Sequence, residues 1–204
     1  MESPTPISTP RRPTGHSHSN PARWAPRCFG FGTFRGQYAM ALVSRFPIDV
    51  KNAQDFSKAL WKDFSWAELP SRADGAPFPS AAAQDVMRLS SKGHWDVPIT
   101  LPDGRVLRAL ASHPTPPVFD GPEDMNGKRN RDEIRFWMEY LAGGSVGADA
   151  PQKDYVILGE LNADPLNGEG ANNTISELLA GGLVTDPAPR SNGAVVAAGP
   201  GRGV

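Results

Sequence analysis

Between residues 154 and 165 the chain reads Asp-Tyr-Val-Ile-Leu-Gly-Glu-Leu-Asn-Ala-Asp-Pro. Glu160, Asn162 and Asp164 therefore stand at every second position straight after an apolar run and a glycine. Two carboxylates flanking a carboxamide can hold a hard cation, orient a water and bind a phosphoryl oxygen. A strand sends its side chains to alternate faces, so the run up to Leu158 can sit in a sheet while the three polar groups emerge together at its end. Asp, Asn and Pro after a strand also make ordinary turns, and the spacing alone leaves both readings open.

A second chemical group sits at another expected strand end, where Ser112-His113-Pro114-Thr115-Pro116-Pro117 follows the apolar stretch 105–112. An imidazole there can bind a phosphate as a hydrogen-bond donor or as a cation. Arg45, Arg131 and Arg135 are the nearby candidates for phosphate contact, Arg131 foremost because it follows the histidine motif and opens the next helix. His94, beside Trp95 at the start of a strand, reads as structural. His16 and His18 are too close together and too isolated to define a metal site.

The elements that must carry these groups can be read from periodicity. Residues 38–44 read as a buried strand, and Phe56, Leu60 and Phe64 at four-residue spacing as one face of a helix. Residues 81–89 form a weaker helix candidate. The stretches 95–101 and 105–112 flank Pro102-Asp103-Gly104, the chemistry of an antiparallel hairpin. In 131–142, Ile134, Trp137, Met138 and Leu141 share a helix face, Asn130 with Glu133 gives a capping signal and Gly143 a stop. A strand at 154–158 and a helix at 174–180 ended by Gly181-Gly182 complete the pattern, which predicts an α/β (α+β) chain with a mixed sheet.

A length of 204 residues suits a single domain with a real core, taken here as 29–204. The first 28 residues hold six prolines, four arginines and one acid, a composition that predicts disorder and contains no apolar centre of a secretory signal. Lys and Arg total 21 against 22 Asp and Glu, so no strong field for polyanions is implied. One cysteine, Cys28, excludes an internal disulfide. No apolar run approaches the roughly 20 residues of a membrane helix, so a soluble chain is expected and its compartment stays open.

Taken as a set, four segments resemble the endonuclease/exonuclease/phosphatase superfamily, the DNase I-like metallophosphoesterases, across roughly residues 29–198. Gly159-Glu160-Leu161-Asn162-Ala163-Asp164 resembles its Gly-Asp-Leu/Phe-Asn-Ala-Asp motif. Gly36–Ile48 resembles an internal strand ending in Leu-Ser-Arg-x-Pro-Ile. Ser112–Pro117 resembles the strand end that carries a histidine, and Asn130–Arg135 the start of the helix after it. The resemblance implies a two-sheet sandwich flanked by helices and hydrolysis of a phosphoester, nucleic acids among the substrates, with Mg²⁺ or Mn²⁺. It also implies that Glu160 orients the attacking water, that Asn162 and Arg131 contact phosphoryl oxygens, that His113 binds the phosphate, and that Glu160 and Asp164 face the metal. No specific protein partner is implied.

The chain also departs from that pattern. Glu160 replaces an aspartate, and its extra methylene displaces the carboxylate by about 1 Å, a shift that can cost on the order of 10²-fold in rate. Upstream of Gly36 only Glu2 could stand for the metal-binding glutamate. No histidine follows His113, and Asp186 is the only aspartate after Asp164, so the closing Ser-Asp-His has no counterpart. These departures predict a member incomplete at both ends, its fold marginal where strand partners are missing. Three functions compete: a metal-dependent phosphoesterase, an inactive remnant with weak phosphate or metal binding, and a polyanion binder using the basic arm.

Overall fold

The computed structural model describes residues 36–143, 149–166, 173–188 and 193. The arm of residues 1–28 and, apart from residue 193, the segment 190–198 at the end of the resemblance lie outside the described residues. One mixed sheet runs in the order β1 (Gln54–Asp55), β2 (His94–Thr100), β3 (Val106–Ser112), β4 (Tyr155–Gly159). β2 pairs antiparallel with β1 and β3, whereas β3 and β4 run parallel. Among the described residues three α-helices accompany the sheet: α1 (Ala81–Gln84), α2 (Met125–Leu141) and α3 (Thr174–Ala180). Among the described residues no helix is long and apolar enough to cross a membrane.

The hairpin β2–β3 turns where Pro102-Asp103-Gly104 predicts it. Leu101 N–H donates to Arg105 O at 2.8 Å, and Gly104 takes a φ of +83°, which a β-carbon would disfavour. Parallel β4 needs a crossover from β3, and α2 supplies it. Alternation then sorts the side chains. His94, Asp96, Leu110, Ser112, Tyr155 and Ile157 face the helices, while Trp95, Val97, Ile99, Ala109, Ala111, Val156 and Leu158 face the other way.

On the helix side Phe136, Trp137 and Tyr140 of α2 pack with Trp61, Phe64, Leu89 and Leu110 into the largest core cluster. Burying one such large apolar side chain contributes about 1.5–3 kcal/mol. Asp96 is buried there without being orphaned. Arg108 grips it through Nε at 2.6 Å and Nη2 at 2.5 Å, and the Tyr140 hydroxyl donates to it at 2.6 Å. On the opposite face, among the described residues, Leu42, Phe46 and Ile48 pack over Val97, Ile99 and Ala109, and Val156 and Leu158 are each 39% exposed.

Four expected elements are corrected. Residues 38–44 are not a strand: Leu42 packs on the sheet face while Val43 is 92% exposed. An apolar run suits a segment laid across a sheet as well as one paired within it. Phe56, Leu60 and Phe64 do not share a helix. Phe56 N–H donates to His94 O and Trp61 N–H to Met87 O, so tertiary pairing takes the donors a helix would need. Phe56 and Phe64 nevertheless both reach Phe136. The helix sought at 81–89 stops after one turn at Gln84, capped by Ser80. α2 starts at Met125, not 131, so Asn130 and Glu133 are interior residues rather than a cap. Its end before Gly143, and α3 at Thr174–Ala180, are as the sequence predicts.

Candidate functional site

β3 and β4 end side by side, with Ser112 paired to Gly159. In a parallel ladder the next residues, His113 and Glu160, are therefore also opposite one another, and alternation aims both toward the face of Ala111 and Leu158. His113 Nε2 lies 3.5 Å from Glu160 Oε2, the imidazole largely covered and the carboxylate exposed. Gly159 makes this approach possible. Its φ is +133°, and a β-carbon there would fall 1.9 Å from the Ser112 carbonyl oxygen.

Glu160 stands where two hollows meet. One, of about 390 Å³, is lined by Pro116, Pro117, Val118, Glu160, Asn162, Ala163 and Asp164. A smaller one, of about 170 Å³, runs between residues 39–42 and the strand tips and takes in His113. Asn162 sits in the left-handed region at φ +51°, which asparagine tolerates better than most residues. Its amide donates to Pro114 O at 3.0 Å, tying the loop after β4 to the loop after β3. Asp164 lines the larger cleft while its Oδ1 accepts from Leu166 N–H at 2.7 Å, so it is both a turn residue and a cleft residue.

Helix α2 braces these loops with polar groups that are completely buried. The Asn130 amide donates to Thr115 O at 2.8 Å, to Leu161 O at 2.9 Å and, more weakly, to Asn162 O at 3.5 Å. Glu133 accepts from Ser91 N–H at 2.6 Å, Ser91 Oγ at 2.9 Å and Thr115 N–H at 2.6 Å. Both are 0% exposed. At the same end of the sheet Lys92 extends its ammonium to Ser91 Oγ and to Pro114 O, each at 3.3 Å.

Burial, followed by the neighbouring charge of Lys92, holds the His113 pKa below the ordinary histidine value, against a smaller opposing pull from Glu160 and Glu133. The neutral imidazole is thus favoured, a group that donates from one nitrogen and accepts at the other. Burial likewise lowers the pKa of Lys92. His94 is structural by geometry: it is 1% exposed, its Nε2 lies 2.8 Å from Glu133 O, and its ring packs on Phe136 and Trp137.

Of the residues singled out by sequence, the structure places Glu160, Asn162 and Asp164 on the larger hollow and His113 with Glu160 on the smaller, so Glu160 is the residue the two share. Arg131 lines neither hollow and pairs with Glu68. Arg135 binds Glu139 at 2.9 Å and lies over Trp66, and Arg45 lies over Phe46. Lys92, Asn130 and Glu133 were not legible as site residues. The hairpin register offers a signal for Lys92: His94 opposite Ser112 brings residue 92 beside residue 114.

Among the described residues no three His, Cys, Asp or Glu side chains cluster closely enough to enclose a metal ion. Two carboxylates on one open cleft suit Mg²⁺ or Mn²⁺ held partly by water, since Mg²⁺ takes one or two protein carboxylates and keeps much of its hydration. No protein-family model matches the chain, and no curated protein or solved structure matches it at a significant level.

Proposed function

We propose that this chain is a phosphoester-hydrolysing domain of the endonuclease/exonuclease/phosphatase type, with its site at the paired ends of β3 and β4. The observation that carries the reading is the 3.5 Å approach of His113 to Glu160 at the mouth of a cleft lined by Asn162 and Asp164. Of the four segments of motif resemblance, 112–117 and 159–164 lie at the strand tips and 130–135 in the helix that braces them, while 36–48 lies across the sheet face, its residues 39–42 lining the smaller hollow. The sandwich architecture of that superfamily belongs to the proposal as well.

Hydrolysis adds water across a P–O bond: the water oxygen bonds to phosphorus, the ester oxygen leaves as an alcohol, and one proton passes from the water to the leaving side. Glu160, exposed and acceptor-only when ionised, orients the water and takes its proton. Asn162 and the His113 N–H donate to phosphoryl oxygens, which gain charge in the transition state. Glu160 and Asp164 would hold Mg²⁺ or Mn²⁺, which when bound supplies charge neutralisation at those oxygens.

A second reading is phosphate binding without turnover. It draws on the single imidazole and two carboxylates of the cleft among the described residues, fewer groups than the superfamily pattern carries. Purified protein incubated with bis-(p-nitrophenyl) phosphate and with plasmid DNA, with and without Mg²⁺ or Mn²⁺, separates the two. Metal-dependent turnover that Asn162→Ala abolishes supports hydrolysis, and wild-type rates no higher than those of that variant remove it.

A further inference from the structure

We propose that Lys92 is the cation of this site and binds a non-bridging phosphoryl oxygen together with Asn162. This rests on the reading of the cleft as a phosphoester site. Lys92, like Arg131, lines neither hollow, and what ties it to the site is an acceptor shared with Asn162. Pro114 O receives a hydrogen bond from Lys92 Nζ at 3.3 Å and another from Asn162 Nδ2 at 3.0 Å. Two nitrogens on one carbonyl oxygen are separated by about the span that a phosphoryl group bridges with two hydrogen bonds. The carbonyl belongs to the residue next to His113, so the pair stands beside the imidazole.

The charges around the opening call for such a cation. Glu160 and Asp164 bring negative charge to the cleft, and the arginines expected from sequence are engaged elsewhere with Glu68, Glu139 or aromatic rings. An ammonium has three donors, and among the described residues Ser91 Oγ and Pro114 O take two of them at the long distance of 3.3 Å. A phosphate oxygen would make a shorter, charge-assisted bond in their place. Lys92 is partly buried, and burial lowers its pKa, with Glu133 and Glu160 opposing that shift.

The test uses the whole chain. Inorganic phosphate is titrated by calorimetry against wild type, Lys92→Met, Lys92→Arg and Lys92→Gln, with Tm recorded for each. Hydrolysis of bis-(p-nitrophenyl) phosphate with Mg²⁺ is followed in parallel. Expected is phosphate binding weakened at least about tenfold in Lys92→Met, the scale of one hydrogen bond to a charged group. Lys92→Arg should recover part of it, and Tm should be unchanged. A purely structural lysine would move Tm and leave phosphate affinity alone in whichever of Met or Gln folds, and that result overturns the proposal. Equal phosphate affinity in wild type and Lys92→Met, or no binding to either, also overturns it. The absence of turnover in every protein, with binding still lost in Lys92→Met, would remove the hydrolase reading and keep the anion site.

Discussion

The two ends of the sheet treat polar residues in opposite ways. At the end formed by the start of β2 and the tips of β3 and β4, the loops that carry the exposed Glu160 are fastened from below by Asn130 and Glu133, both 0% exposed. At the other end, Arg105 of the hairpin turn pairs with Asp103 at 2.8 Å and with Asp154, just before β4, at 3.5 Å. Positional precision comes from buried partners whose alternatives are costly, and solvent offers an exposed ion pair many alternatives. The difference marks one end as built to hold a geometry and the other as built to close a hairpin.

The largest effect should come from cutting the brace. Glu133→Ala leaves Ser91 N–H and Thr115 N–H without their acceptor, while Ser91 Oγ keeps its contact to His113 O at 3.4 Å. One buried orphaned donor costs about 1–3 kcal/mol, so a loss of about 3 kcal/mol or more is expected in denaturant unfolding. A loss under about 1 kcal/mol would mean that water replaces the carboxylate, and the contrast between the two ends would collapse.

Next comes the contact that joins the strand tips. Gly159→Ala sets a β-carbon against the Ser112 carbonyl, a backbone atom that cannot swing aside, at a φ of +133° that L-residues rarely adopt. Strain and overpacking together should cost about 2–3 kcal/mol. Because β4 must shift away from β3, His113 and Glu160 separate. Phosphate binding should therefore fall further in Gly159→Ala than in a core variant of equal Tm, and equal losses would mean that the tips do not need this register.

The hairpin, α3 and the end of α2 were legible because their causes are local: Pro102-Asp103-Gly104, Gly181-Gly182 and Gly143 fix the chain where they stand. The start of α2 was not. Residues 127–133 are glycine and charged or amide side chains that read as solvent-facing, yet Arg129 donates to Leu89 O, Asp132 accepts from Trp61 Nε1 and Glu68 N–H, and Glu133 holds Ser91 and Thr115. Those partners lie 18 to 71 residues away. A helix buried through polar contacts has no apolar stripe for periodicity to find. His113, Glu160 and Asn162 were legible as chemical types, and their meeting follows from the parallel register. Lys92 was missed because its neighbours are set by pairing rather than by sequence.

The two histidines at this end sharpen the comparison through pH. His94, 1% exposed, has its pKa lowered below 6.5, chiefly by burial, against the pull of Glu133. The unfolded chain then takes up a proton that the native state refuses, so its protons outnumber those of the native state below pH 6.5. The stability contribution is intact above that pH and is lost as pH falls from there toward the depressed native value. Unfolding midpoints measured down this range should drop less steeply in His94→Gln, which keeps a side-chain donor toward Glu133 O and does not titrate. Parallel pH curves for the two proteins would assign the acid loss to other groups.

The smallest effect is expected at the far end, where Arg105→Ala removes both ion pairs of the hairpin turn. Its side chain is 60% exposed and that of Asp103 52%, so water and salt already weaken their attraction and solvate either partner when the other is gone. The turn keeps the bonds that shape it, because Leu101 N–H to Arg105 O and Gly104 N–H to Leu101 O are made by the backbone whatever the side chain. Tm should stay close to wild type at low salt and coincide with it at high salt, with phosphate binding untouched. A Tm loss comparable to that of Gly159→Ala, persisting in high salt, would show that the hairpin end is also held by a specific geometry, and the asymmetry would then have to come from the loops rather than from what lies beneath them.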